Sequence, residues 1–223
     1  MAERPKALIA WSSGKDSAWS LYEARRAGEF DIVGALTTVT DAFARVSMHG
    51  VREAILQAQL EAAGLPSIVV RIPYPCPNEI YEARMAEALT AAKAGGISAI
   101  VFGDLFLEDI RAYRVAKLAG TGIEPLFPLW QRPTDQLARD MIAGGLETYL
   151  ATVDLRKLPM SFAGRKFDAT LLADFPDGID PCGENGEFHS CVVAGPMFSR
   201  RIEVSVGETV ERDGFAYADL VPA

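Results

Sequence analysis

Histidine and cysteine are scarce in this chain. Its 223 residues hold two histidines (His49, His189) and three cysteines (Cys76, Cys182, Cys191), with no C-x-x-C pair. That supplies neither a metal-ligand set for structural zinc nor a disulfide framework, and it fits a reducing cytoplasm. Long apolar runs are missing too. The apolar part of residues 1–11 is too short for a membrane span or a secretory signal, so no membrane association is expected. Positive charge is in deficit, with 22 lysines and arginines against 30 acids, net −8 and a pI near 4.9. This balance argues against a broad electrostatic grip on nucleic acid, although a local basic patch is compatible with it.

What is present suffices for a core: 49% hydrophobic and 23% charged residues, ordinary globular proportions. The length suits two small domains or one domain with an appendage. Strand-like runs at 6–11, 31–38, 67–72 and 98–102 alternate with helical patterns at 16–27, 51–63 and 78–94. Gly28 and Gly64 close the first two helices and Asn78 caps the third. This alternation predicts an α/β fold, a Rossmann-like parallel sheet with helices on both faces. From Pro125 the texture changes. Residues 125–130 read as a rigid connector, 135–143 as a helix and 147–153 as a strand. Glycine, proline and polar residues dominate after Leu155, and strand-like runs at 201–206 and 215–220 flank a turn at Asp213-Gly214. The expected organisation is a domain at 1–130 followed by a smaller α+β domain at 131–223.

Between the first strand and its helix lies Ser12-Ser13-Gly14-Lys15-Asp16-Ser17. In an open α/β sheet, ligands gather where strand ends meet helix N-termini, whose free N–H groups favour anions. Gly14 permits close backbone approach to an anion, Ser12, Ser13 and Ser17 offer hydroxyl donors, and Lys15 supplies charge. The loop is neither a Walker A sequence nor G-x-G-x-x-G. It is similar to the S-G-G-K-D-S pyrophosphate loop of the N-type ATP pyrophosphatases, of the adenine-nucleotide α-hydrolase-like group, which cut ATP between the α and β phosphates. Ser13 stands where that group has glycine. A left-handed backbone there would cost serine about 1–2 kcal/mol, and the expectation is that the position does not require one.

Further segments narrow the resemblance. Arg45-Val-Ser-Met-His-Gly-Val51, Phe102-Gly-Asp104, Pro128-Leu-Trp130 and Asp180-Pro-Cys-Gly-Glu-Asn-Gly-Glu-Phe-His-Ser190 together resemble the diphthine–ammonia ligase family across nearly the whole chain. The resemblance implies an amide-forming ligase that uses ATP and Mg²⁺. A carboxylate is adenylated, pyrophosphate leaves, and ammonia displaces AMP. The carboxylate is diphthine on an elongation factor, or a small molecule in related short proteins. It further implies Thr37 and Thr38 at the adenine, Gly103 close to nucleotide, and Asp104 orienting a ribose or holding magnesium. Lys15, Asp104, Glu184 and Glu187 become the catalytic candidates. Arg45, His49, Arg111, Asn185, Glu187 and His189 become substrate-binding candidates, with Glu184 or Glu187 holding ammonium.

Each of these also has a plainer reading. The first loop could be a serine-capped helix start, Gly103-Asp104 a β-to-α turn, residues 108–114 a solvated helix face, and Asn185-Gly186 a hairpin turn with exposed acids. Cys182 and Cys191 read as buried, unreactive thiols. Two rival functions are a tRNA-modifying ATP pyrophosphatase and a nucleotide-binding module without catalysis. The first lacks its cysteine pair and basic surface, the second its longer glycine-rich loop. The oligomeric state is open, with a homodimer as one arrangement.

Overall fold

The structure is a computed structural model that describes residues 3–223. Its first layer is a mostly parallel sheet built by β1 (Lys6–Ala10), β2 (Asp31–Thr40), β3 (Arg45–Val46), β4 (Ser67–Ile72), β5 (Ile97–Val101) and β6 (Glu124–Leu126). The parallel strands lie in the order β4-β2-β1-β5-β6, and β3 adds a short antiparallel pair at the end of β2. Helices α1 (Lys15–Ala27), α2 (Glu53–Ala63), α3 (Asn78–Ala94) and α4 (Glu108–Leu118) make the crossovers. The central strand is apolar on both sides for this reason. Ala7 and Ile9 of β1 face a cluster that includes Leu21 of α1 and Leu56 of α2, while Leu8 faces a second cluster containing Ala92 of α3 and Leu118 of α4. The chain winds outward from β1 in both directions, so a crevice opens at the carboxyl ends of β1 and β5. The loop at 12–17 sits there.

After α5 (Thr134–Ala143) come β7 (Glu147–Asp154), a 3₁₀ turn at Met160–Phe162, α6 (Ala169–Asp174), β8 (Phe188–Ala194), β9 (Val204–Arg212) and β10 (Phe215–Pro222). The four strands form an antiparallel sheet in the order β8-β7-β10-β9. Leu150, Phe188, Val192 and Leu220 join the same buried cluster as Ile9 and Leu21, so the second sheet packs on the α1 and α2 side of the first.

Gly28 and Gly64 take left-handed caps, and Asp213 and Gly214 both have positive φ (53° and 79°), as a two-residue hairpin turn between right-twisted strands requires. Four local expectations shift. Asn78 is the first helical residue of α3, and Pro77 occupies its cap position without a side-chain bond. The supposed connector contributes β6, whose residues pair in parallel with β5 at the sheet edge, where the missing N–H of Pro125 is tolerated. The strand expected at 201–206 begins at Val204 and runs on to Arg212. The polar-rich stretch conceals β8, whose Phe-His-Ser-Cys-Val-Val-Ala sequence lies against β7.

Candidate active site

A cleft of about 460 Å³ opens at the crevice and is walled by both layers. Ser12, Lys15, Asp16 and Ser17 line it from the first loop, Thr37 and Thr38 from β2, and Gly103 and Asp104 from the end of β5. His49 reaches in from the loop before α2. The second layer sends in Glu184 from the loop before β8, and His189 and Ser190 from β8 itself.

The loop at 12–17 is stapled to β8. The Ser13 carbonyl accepts the Val192 N–H (3.0 Å), and the Lys15 N–H donates to the Ser190 hydroxyl (3.1 Å). Gln59 of α2, wholly buried, donates to the carbonyls of Val192 (2.7 Å) and Ser13 (3.2 Å) and accepts the indole N–H of Trp11 (3.1 Å). Ser17 donates its hydroxyl to the Gly14 carbonyl (2.9 Å). Ser13 has φ 69°, contrary to expectation, and its buried hydroxyl has no partner. The backbone holds this residue left-handed because its carbonyl is committed to β8 and Gln59, and the side chain follows at a cost. Gly14 and Gly103 are required by protein packing. A Cβ on Gly14 would meet the His49 ring at 2.5 Å, and one on Gly103 would meet the Asp16 carbonyl carbon at 2.8 Å.

Lys15 is not an exposed loop residue. It opens α1 with its side chain 3% exposed, and its ammonium bonds both oxygens of Asp16 (2.8 and 3.0 Å). Burial alone would lower its pKa, yet Asp16 leaves it raised. Asp104 is held by Arg114 of α4 in a two-pronged pair (2.6 and 3.1 Å).

The segment 180–187 is a folded loop. The Asp180 carboxylate accepts the N–H groups of Cys182 (3.2 Å) and Glu184 (2.9 Å), and the Glu187 carboxylate accepts those of Asp180 and the Asn185 side chain (3.2 Å each). Glu184 is thereby turned into the cleft, where it accepts the Leu105 N–H (2.7 Å). Burial, opposed by that bond, raises its pKa to about 7. His49 and His189 meet ring to ring. Nδ1 of His49 lies 3.0 Å from the Ser190 carbonyl, and because a carbonyl only accepts, the ring carries its proton on Nδ1. Burial, then the neighbouring ring, pulls His49 down to about 3; burial, then Lys15, pulls His189 to about 4. Both rings are neutral near pH 7.

Six candidates do not line the cleft: Ser13 and Gly14 of the first loop, and Arg45, Arg111, Asn185 and Glu187. Arg45 bonds the Gly50 carbonyl (2.6 Å) and, with Arg52, the carboxylate of Asp219 on β10. Arg111 stacks over Phe127 and Trp130, at 5.2 and 5.0 Å from the ring centroids. Asn185 and Glu187 shape the loop that carries Glu184.

The family model for the diphthamide synthase N-terminal domain matches residues 5–120, and that for the diphthamide synthase C-terminal domain matches residues 133–219. The chain belongs to the diphthamide synthase family. Proteins named diphthine–ammonia ligase are its relatives. That of Schizosaccharomyces pombe is 32% identical over 94 residues, 40% of this chain and 16% of the relative. Those of Rattus norvegicus and Homo sapiens are 30% and 29% identical over 120 residues, 51% of this chain and 45% of each relative. The chain spans less than half the length of these curated relatives.

In this diphthamide synthase family member, sequence pattern did not point to Gln59, Asp180, Arg114 or Asp219. Two of them act by contact across long separations: Gln59 on β8, and Asp219 on Arg52 and Arg45, 167 and 174 residues away. Arg114 and Asp180 act locally, on Asp104 ten residues away and on the backbone of Cys182 and Glu184. Cys182 and Cys191 are buried free thiols, and burial pushes Cys191 up to about 12. No helix among the described residues is long and apolar enough to cross a membrane.

Proposed function

We propose that this cleft is the active site of an ATP-dependent carboxylate–ammonia ligase that forms AMP and pyrophosphate, working in a reducing cytoplasm. The observation that carries the reading is the meeting of the loop at 12–17 with Glu184 in one cleft. In the proposed division of labour, residues 1–130 handle the nucleotide and 131–223 the acceptor and ammonia. ATP lies with its adenine edge toward Thr37 and Thr38 and its phosphates at the start of α1, where the helix dipole favours anions. Lys15 leaves Asp16 to meet the phosphates. A carboxylate oxygen of the acceptor attacks the α-phosphorus and the bond to the β-phosphate oxygen breaks. Ammonia then attacks the acyl carbon, the bond to AMP breaks, and Glu184, with its pKa near 7, takes the proton that ammonium gives up.

Magnesium fits this reading in a limited way. The ion keeps most of its waters and needs one or two carboxylates beside substrate phosphates. Asp16 and Asp104 both line the cleft, while no group of three or more His, Cys, Asp or Glu residues among those described is arranged to hold a metal. Asp104 would hold it beside the phosphates, and its charge would neutralise the departing pyrophosphate.

The acceptor is diphthine on an elongation factor or a smaller carboxylate. The test is product analysis with ATP, Mg²⁺, ammonium and each acceptor class. AMP, pyrophosphate and a new amide are expected. ADP and phosphate as primary products would sink the reading.

A further inference from the structure

The ammonium group of Lys15 sits in an unusual place for a residue next to a phosphate loop. It is buried against the Asp16 carboxylate and lies 5.4 Å from the centroid of Phe188 and 6.0 Å from that of Phe167. Two aromatic faces and one carboxylate make a cage suited to a primary ammonium head, because ring quadrupoles attract a desolvated cation and the carboxylate accepts its N–H bonds. Glu184 is close enough to add its field to the same group. Free ammonium has the same tetrahedral donor head as Lys15, without the stem.

We propose that the cage of Asp16, Phe167 and Phe188 is the ammonium-binding subsite, and that the side chain of Lys15 occupies it until nucleotide binds. Lys15 also lines the cleft. Rotation of its stem toward the phosphates exchanges one charge-assisted contact for another and opens the cage to NH₄⁺ beside Glu184. Ammonium is thus admitted only when ATP is in place. Sodium, which holds its water, and tetramethylammonium, which has no N–H and greater bulk, are rejected. This inference rests on the ligase reading for the role of ammonia, but its test does not use turnover.

Lys15→Ala removes the placeholder and leaves Asp16 without its partner. Thermal melts of this variant, at constant ionic strength, should show a saturable rise with ammonium chloride of about 3–6 °C at ten times its Kd. Sodium and tetramethylammonium chlorides should produce none, and the wild type should stay flat. An equal rise with sodium, or no rise at all, overturns the proposal. Should the variant not fold, the wild type decides by NMR with ¹⁵NH₄⁺. A protein-bound ammonium signal is expected with a non-hydrolysable ATP analogue and not without it. Its absence under both conditions, or its indifference to nucleotide, is equally fatal. A chain that passes these tests yet forms no AMP loses the ligase reading and keeps the ammonium site.

Discussion

The two histidines of the chain, His49 from the first layer and His189 from the second, lie ring to ring with centroids 4.7 Å apart in the wall of the cleft. Their contact ties the two layers together, and burial keeps both neutral. It therefore makes stability depend on pH.

In the folded state both rings titrate far below their ordinary 6.5, at about 3 and about 4. As pH falls below 6.5 the unfolded chain binds these protons first, so this stability is fully present above 6.5 and lost on acidification. Glu184 has the opposite sign. Its folded pKa of about 7 exceeds the ordinary 4.5, so the native state gains stability as pH falls from 7 to 4.5. Between pH 6.5 and 4.5 these three groups together contribute a slope of one proton, about 1.4 kcal/mol per pH unit. Glu184→Gln should raise their contribution to about 2.7 kcal/mol per unit, steepening the measured slope by about 1.4. Urea unfolding across this range checks both, and a slope unchanged by the substitution would contradict the burial of Glu184.

The same substitution addresses chemistry. If Glu184 takes the ammonium proton, amide formation should rise with pH through about 7, the pKa set by its burial. Glu184→Gln should lose that limb and slow amidation by about 10²-fold or more, with ATP affinity kept. Steady-state rates from pH 5.5 to 9 at saturating ATP provide the measurement. An identical pH profile in the variant would remove Glu184 from the proton's route.

Ser13 carries strain and an unpartnered buried hydroxyl. Ser13→Gly relieves both, against the greater backbone entropy of glycine in the unfolded chain. A gain on the order of 1 kcal/mol is expected, seen as a melting temperature a few degrees higher. A loss of stability would mean that the hydroxyl is engaged after all.

Gln59 is wholly buried and serves three partners, so Gln59→Leu fills the space, strands the Trp11 N–H and removes a donor from the carbonyls of Ser13 and Val192. Destabilisation of about 2–4 kcal/mol should follow, with weaker ATP binding because the loop at 12–17 is held through Ser13. Urea titration and nucleotide calorimetry would show the two effects together. A neutral variant would deny Gln59 its place as the link.

Much of this molecule is local, and local features are legible in residues. Apolar runs alternating with helical periods specified the parallel sheet, because each crossover buries its own face. Gly28, Gly64 and Asp213-Gly214 announced where elements end, because few residues tolerate positive φ. The loop at 12–17 stood out by its chemistry and its place after the first strand, and the segment 183–190 by its chemistry together with the family resemblance. Tertiary structure decided what each does with its charge. Lys15 reads as a phosphate ligand along the chain, yet its ammonium lies with Asp16 between two aromatic rings brought from beyond residue 160. Glu184 and Glu187 look equivalent in sequence. The backbone of segment 180–187 turns the first into the cleft and uses the second to hold Asp180 and Asn185. Arg45 looked free to bind substrate until β10 brought Asp219 to it across 174 residues. Burial and pairing set the protonation and direction of a side chain, and both come from neighbours remote in sequence, which only the packed second sheet supplies.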